Sequence, residues 1–380
     1  METNINNNKN KEKVIAFYLP QYHAIPENDA AWGKGFTEWT NVKKAVPIYR
    51  GQYQPHIPLN KNYYSLLDVN VMKQQAELAK KYGVYGFCYY HYYFKGGKKL
   101  LEKPLENMLA DKEVDIPFCL SWANEPWSKR WDGSEKEIIM EQEYGDKEEW
   151  EAHFYYLLDF FKDNRYMKDE NGRPIFLIYK PCEIPCYKEM MEYWNKLAVK
   201  NNIHGIKYIV QHPEIEVIEG TIDEMFEGIV EFEPLYTSAM LKGTPKRKLN
   251  FIFTHPVEAL RILKTIIYNK LNGTSRHSFS YDLIVKASLK RKNNHRIYPG
   301  VFPGWDNTPR RGKNATFFVG STPEKFKKYL ELRLKKNREE HNKELIFVNA
   351  WNEWGEGAHL EPDEKHGYAY LEAIRDSLMN

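Results

Sequence analysis

The sequence predicts an α/β fold: a (β/α)8 TIM barrel with a basic, partly helical insertion late in the barrel. Eight short apolar runs of strand length recur along the chain, at 14–19, 84–90, 116–122, 174–179, 206–210, 226–232, 298–305 and 345–351. Segments of helical length and period lie between several of them, and that alternation implies parallel strands joined by crossovers. An open doubly wound sheet is the alternative. Against it, the first run leads into Tyr18-Leu19-Pro20-Gln21-Tyr22-His23, which is not a glycine-rich phosphate loop.

Taken in order, residues 1–13 form a polar tail, and 14–380 a single catalytic domain interrupted by an insertion at about 236–297. The 69–82 segment sets Val69, Met72, Ala76, Ala79 and Tyr82 near one face of a helix, and 149–161, 187–199, 323–335 and 368–378 have the same periodicity. The insertion holds 13 Lys/Arg against Glu258 and Asp282, a local net of +11 in a chain of net +3, so the remainder carries −8. Within it, 256–271 aligns Val257, Leu260, Leu263, Ile266 and Ile267 as an apolar stripe. Two readings are open: a solvated helical excursion covering a barrel face, or a surface that approaches anionic lipid headgroups or a lipid-linked glycan carrier. Basic charge without a recognisable module does not point to nucleic acid.

Trp, Tyr and Phe make up 15% of the chain, and many stand beside Asn, Asp, Glu, His or Gly rather than inside aliphatic runs. Flat rings next to hydrogen-bonding groups suit a ligand with apolar faces and polar edges, such as a sugar. The four cysteines make no dense disulfide framework, and the Cys182/Cys186 spacing lacks a second pair for zinc, so all are expected to be reduced. With neither a secretory leader nor a run of 18 apolar residues, the expected location is the cytoplasm, peripheral to the inner membrane if the basic insertion meets lipid.

In such barrels catalytic groups sit at the C-terminal ends of strands. The predicted strand ends carry Tyr22 and His23, with Glu38 and Trp39 in the loop beyond; Tyr90 and His91; Trp122, Asn124, Glu125 and Trp127, running on to Trp131 and Asp132; Trp305 and Asp306; and Trp351, Asn352 and Trp354. All are expected to bind substrate. Glycosidic cleavage typically uses two carboxyl groups, one to protonate the leaving oxygen. Glu353 and Glu356 can supply both, since their i, i+3 spacing lets them share a side of the turn, and Trp351 and Trp354 can shield one of them from water. A loop whose glutamates cap the following helix is the plainer alternative.

The segments 17–23, 35–42, 122–127, 130–133 and 351–357 resemble the WbsX-type polysaccharide-biosynthesis family, which is similar to glycoside hydrolase family 99, the endo-α-mannosidases and endo-α-mannanases. The resemblance spans roughly 14–375 and implies the barrel fold. It also implies that Glu353 deprotonates the sugar 2-hydroxyl, which attacks the anomeric carbon to give a 1,2-anhydro sugar. Glu356 would protonate the departing oxygen and then activate water, with overall retention and no cofactor or metal. Where those hydrolases commonly have His, this chain has Gly355.

Glu125, in Asn124-Glu125-Pro126, looks like the acid/base of another barrel clan. There that residue follows the fourth strand, whereas here it follows the third predicted run, which assigns it a binding or supporting role. The expected activity is a retaining glycosidase on a bacterial polysaccharide or oligosaccharide. The alternatives are a glycosyltransferase of O-antigen or capsular polysaccharide synthesis and a non-catalytic glycan-binding protein.

Overall fold

A computed structural model describes residues 12–129, 137–211, 223–241, 256–291 and 296–379. Nine parallel strand segments form its centre: β1 Lys13–Tyr18, β2 Val84–Tyr93, β3 Phe118–Trp122, β4 Ile175–Ile178, β5 Lys207–Val210, β6 Gly228–Val230, β7 Ile297–Tyr298, β8 Gly300–Val301 and β9 Leu345–Val348. Their order is β7-β6-β5-β4-β3-β2-β1-β9-β8. The two ends of that path are halves of one stretch of chain: β7 pairs with β6, β8 pairs with β9, and only Pro299 separates them. Proline has no N–H to give to a ladder, but its carbonyl accepts the Phe347 N–H at 2.9 Å. The sheet therefore closes into a barrel through the seventh of the eight expected strands, which is kinked at Pro299 and ends earlier than the apolar run suggested.

Helices occupy the connections where period 3.6 placed them, as Val69–Lys81, Lys147–Phe161, Tyr187–Lys200, Pro323–Lys336 and Ala369–Met379. Asp68, Asp146 and Thr322 cap three of these by accepting N–H groups of the first turn, the role short oxygen-bearing side chains play at a helix start. A further helix, Lys103–Ala110, lies in a connection the periodicity did not single out.

Strand alternation decides what faces the barrel axis. The ring of Phe17 stands among Tyr90, Phe232 and Phe347 with centroids 5.1–5.9 Å apart, a plug of aromatic side chains. One pleat further on, Leu19 and Tyr92 reach the open end, where a cavity begins. The helix Tyr281–Leu289 is tied to the barrel by buried charge just past its end: Arg291 pairs with Glu231 at 2.9 Å, and Arg333 meets the other oxygen of Glu231, also at 2.9 Å.

Candidate active site

A cavity of about 350 Å³ opens beyond the C-terminal ends of the strands. Glu353 and Glu356 line it together with Tyr90, Tyr92, Glu125, Trp127, Tyr179, Trp305, Arg310 and Arg311. Both glutamates lie just after β9, Glu353 closing the two-residue strand Asn352–Glu353 and Glu356 closing the helical turn Trp354–Glu356.

How the glutamates are aimed follows from their neighbours. The side-chain amide of Asn352 accepts the Leu19 N–H at 2.7 Å and donates to the Leu19 carbonyl at 3.0 Å. It thus acts as one more peptide rung between β9 and β1, and the next residue, Glu353, projects into the cavity. The same device operates after β3, where Asn124 accepts from Lys180 N at 2.8 Å and donates to Lys180 O at 2.7 Å, and Glu125 follows into the cavity. Glu125 is held there by Lys180, whose ammonium is 2.6 Å away. In both doublets the asparagine fixes the backbone and the glutamate faces the ligand space.

One guanidinium gathers the acidic groups. Arg310 donates through Nη2 to Glu353 at 2.7 Å, through Nη1 to Glu356 at 2.5 Å and through Nε to Glu38 at 2.9 Å. It is delivered by the short helix Thr308–Arg311, whose first N–H and the Thr308 hydroxyl are accepted by Asp306. The backbone N–H of Asp306 in turn holds the Glu356 carbonyl at 2.6 Å. Burial, reinforced by Glu353 and Glu38, pushes the Glu356 carboxyl up to about 8 although Arg310 pulls the other way. Burial likewise takes Glu38 to about 7 against the same Arg310. The shift favours the protonated form of Glu356, the state a proton donor needs.

Gly355 finds its reason here. A Cβ at that position would lie 1.5 Å from Glu38 Oε1 and 2.8 Å from Arg310 Nε, so the Glu38–Arg310 pair fills the volume a side chain would take. Gly355→Ala is expected to cost about 3–5 kcal/mol of stability, the range for disrupting a buried ion pair. The added loss should be smaller when Gly355→Ala is placed on a Glu38→Ala background, as equilibrium denaturation of the four proteins would measure.

Among the residues expected to bind substrate, Tyr90, Glu125, Trp127 and Trp305 line the cavity. Others are buried behind it. His91 and Trp122, in register on β2 and β3, point away from the axis, where His91 Nε2 lies 2.8 Å from His153 Nε2 and the Trp122 indole donates to Tyr93 O. Period-2 alternation brings in Tyr92 instead of His91. Trp351 packs against Phe87 outside the barrel, and Asn124 and Asn352 are backbone clamps. Tyr22 donates to the Asn352 carbonyl, and Trp39 donates to Tyr64 O at 2.8 Å. Trp354 stacks on His359 at 3.7 Å and donates to Glu361 at 2.7 Å. His23 is buried away from the cavity lining, Asp306 organises the Arg310 helix, and Glu38 touches Arg310. Trp131 and Asp132 lie outside the described residues.

The sequence reading missed Tyr92, Tyr179 and the part played by Arg310. An arginine directly after Thr308-Pro309 on the same rim was the available signal, but no spacing rule ties it to Glu353, 43 positions later.

Of metal-ligand types, His56, His359 and Asp363 come together with their ligand atoms within 4.8 Å. His359 Nδ1 lies 2.9 Å from Glu361 O and its Nε2 lies 2.9 Å from His56 Nδ1, so these rings already satisfy one another while bracing the Trp354 turn. No helix among the described residues is long and apolar enough to cross a membrane.

A family model described as "Glycosyltransferase WbsX" matches residues 14–374. The chain is 35% identical over 373 residues to proteins of two Xanthomonas campestris pv. campestris strains that carry the name "Uncharacterized protein WxcX". The match takes in 96% of this chain and 49% of theirs, so the chain spans about half the length of those relatives. Among solved structures, a GH99 endo-α-mannosidase from Bacteroides thetaiotaomicron superposes with a TM-score of 0.55 at 14% identity, covering 96% of each chain. A "glycoside hydrolase-like protein" gives 0.54 at 10% identity, covering 97% of this chain and 94% of the other. At such identities the likeness is one of fold.

Proposed function

The chain belongs to the WbsX family, and on that premise we propose that it is a retaining glycoside hydrolase acting on a bacterial polysaccharide or oligosaccharide. Glu353 takes the proton of the sugar 2-hydroxyl, and O2 attacks the anomeric carbon as Glu356 protonates the departing oxygen. The resulting 1,2-anhydro sugar is opened at C1 by water that Glu356, now ionised, deprotonates, while Glu353 returns its proton to O2 as the C1–O2 bond breaks, and two displacements restore the starting configuration. Arg310 keeps both carboxyl groups in place through the cycle. The rings of Tyr90, Tyr92, Trp127, Tyr179 and Trp305 offer stacking faces, and Glu125, held by Lys180, offers a carboxylate to sugar hydroxyls.

The observation that carries this reading is the convergence of Glu353 and Glu356 on one guanidinium at the edge of a ring-lined cavity, where burial raises the proton affinity of Glu356. The family's description favours a second reading, transfer of a sugar from an activated donor to a glycan acceptor. Incubating the protein with a library of purified bacterial polysaccharides, and separately with nucleotide sugars plus acceptors, separates the two. Hydrolysis predicts new reducing ends whose first-formed anomer matches the cleaved linkage. Product only in the nucleotide-sugar arm would replace the hydrolase with a transferase, and inverted product would remove the anhydro-sugar route.

A further inference from the structure

The helix Pro256–Asn272 is amphipathic in the opposite sense to a helix that covers a barrel. Its polar stripe faces the protein. Glu258 is buried and accepts the Ser280 N–H at 2.9 Å, Thr265 is buried, and Asn269 donates to Arg276 O at 2.8 Å while accepting the Thr274 hydroxyl at 2.8 Å. Its apolar stripe faces out: Val257, Leu260, Leu263, Ile266, Ile267 and Leu271 are 50–80% exposed. Six large aliphatic side chains on one side of a 17-residue helix make a continuous patch, which a protein free in solution seldom leaves bare. Exposed Lys264 and Lys270 stand on the same side of the helix, among these side chains.

We propose that this face docks on an anionic membrane surface, the helix lying in the headgroup region with its aliphatic side chains inserted and its lysines at the phosphates. Charge selects that occupant: Lys264 and Lys270 are exposed on the helix, while its one acidic residue, Glu258, is turned inward onto Arg261 and Ser280, so the outer face is cationic, which attracts acidic lipid and disfavours a second copy of itself. The helix is also fixed relative to the cavity. Strand His277–Ser280, which follows it, pairs with Thr316–Val319, and Phe318 N–H donates to the carbonyl of the cavity residue Trp305 at 2.8 Å. The Tyr281 hydroxyl bonds Phe302 O at 2.9 Å on the barrel side. Docking therefore sets the cavity at a defined position over the bilayer, whichever reaction takes place in it.

Co-sedimentation with phosphatidylcholine vesicles, with and without about one third phosphatidylglycerol, tests the proposal. The expected result is a partition roughly tenfold or more higher on the acidic vesicles. Leu260→Ser/Leu263→Ser/Ile267→Ser should abolish most of that binding, and Lys264→Gln/Lys270→Gln should erase most of the preference for acidic lipid; circular dichroism should be unchanged in both, since these side chains are exposed. Equal or negligible partition on the two vesicle types overturns the proposal, as does retention of binding by the serine variant. Light scattering that shows a dimer dispersed by the serine substitutions would assign the face to a second copy instead.

Discussion

Glu356→Gln is expected to lower turnover of a glycan substrate by about 10²–10⁴-fold, the range contributed by a positioned proton donor, while leaving the fold intact. The amide copies the protonated form, which burial and the neighbouring Glu353 and Glu38 favour by pushing the Glu356 carboxyl up to about 8. The deficit should shrink on an aryl glycoside whose leaving group needs no proton. The wild-type rate should fall as pH rises past about 8, where the donor is lost, and that limb should be missing in the variant. Stability obeys the same sign. A carboxyl whose folded value lies above its unfolded value binds more protons folded than unfolded between the two, so its contribution is lost as pH rises through that window. Urea midpoints for wild type and Glu356→Gln between pH 5 and 8 should therefore converge towards acid and diverge towards base, with the variant the less sensitive. Wild-type turnover in the variant would remove Glu356 from the proposed role.

Arg310→Met is expected to be the more damaging to stability. It removes the cation that the buried Glu38 and Glu353 and the part-buried Glu356 share at 2.5–2.9 Å, and breaking a buried ionic cluster from one side costs about 3–5 kcal/mol. Arg310 opposes the upward displacement of both Glu38 and Glu356, so without it both rise further. The loss should then be largest at pH 8 and smallest near pH 5, where both are protonated. Arg310→Lys keeps the charge but not the fork that reaches three acceptors, and should recover only part of the deficit. Denaturation midpoints of the three proteins at the two pH values check this, and a pH-independent deficit in Arg310→Met would mean that Arg310 acts through packing rather than charge.

What the sequence made legible follows from periodicity. Strand and helix repeats are local properties of the chain, so eight apolar runs and the helices between them placed the barrel, and the paired Glu353 and Glu356 stood out because both lie in one turn. Where the reading went astray, the local signal was silent about direction. His91 and Tyr92 are adjacent and equally suited to a sugar site, but a strand sends neighbours to opposite faces, and which face is inward depends on register with β1 and β3. Trp351 and Trp354, cast as shields for a carboxyl, are instead turned towards Phe87 and His359. The apolar stripe of 256–271 was visible in the sequence, but only the fold shows it turned outward, because its polar partners, Ser280 and Arg276, lie in the chain that follows.

The sequence by itself determined the alternating architecture, the aromatic character of the rim and the two glutamates after the last strand, since each is written within a few consecutive residues. The tertiary structure alone decided that Arg310 ties those glutamates to Glu38 and that this pair occupies the space beside Gly355. Arg310 and Glu38 lie 43 to 318 positions from those glutamates and meet them only when the barrel closes, and the proton affinity of Glu356 comes from the water the closed barrel excludes and from that meeting.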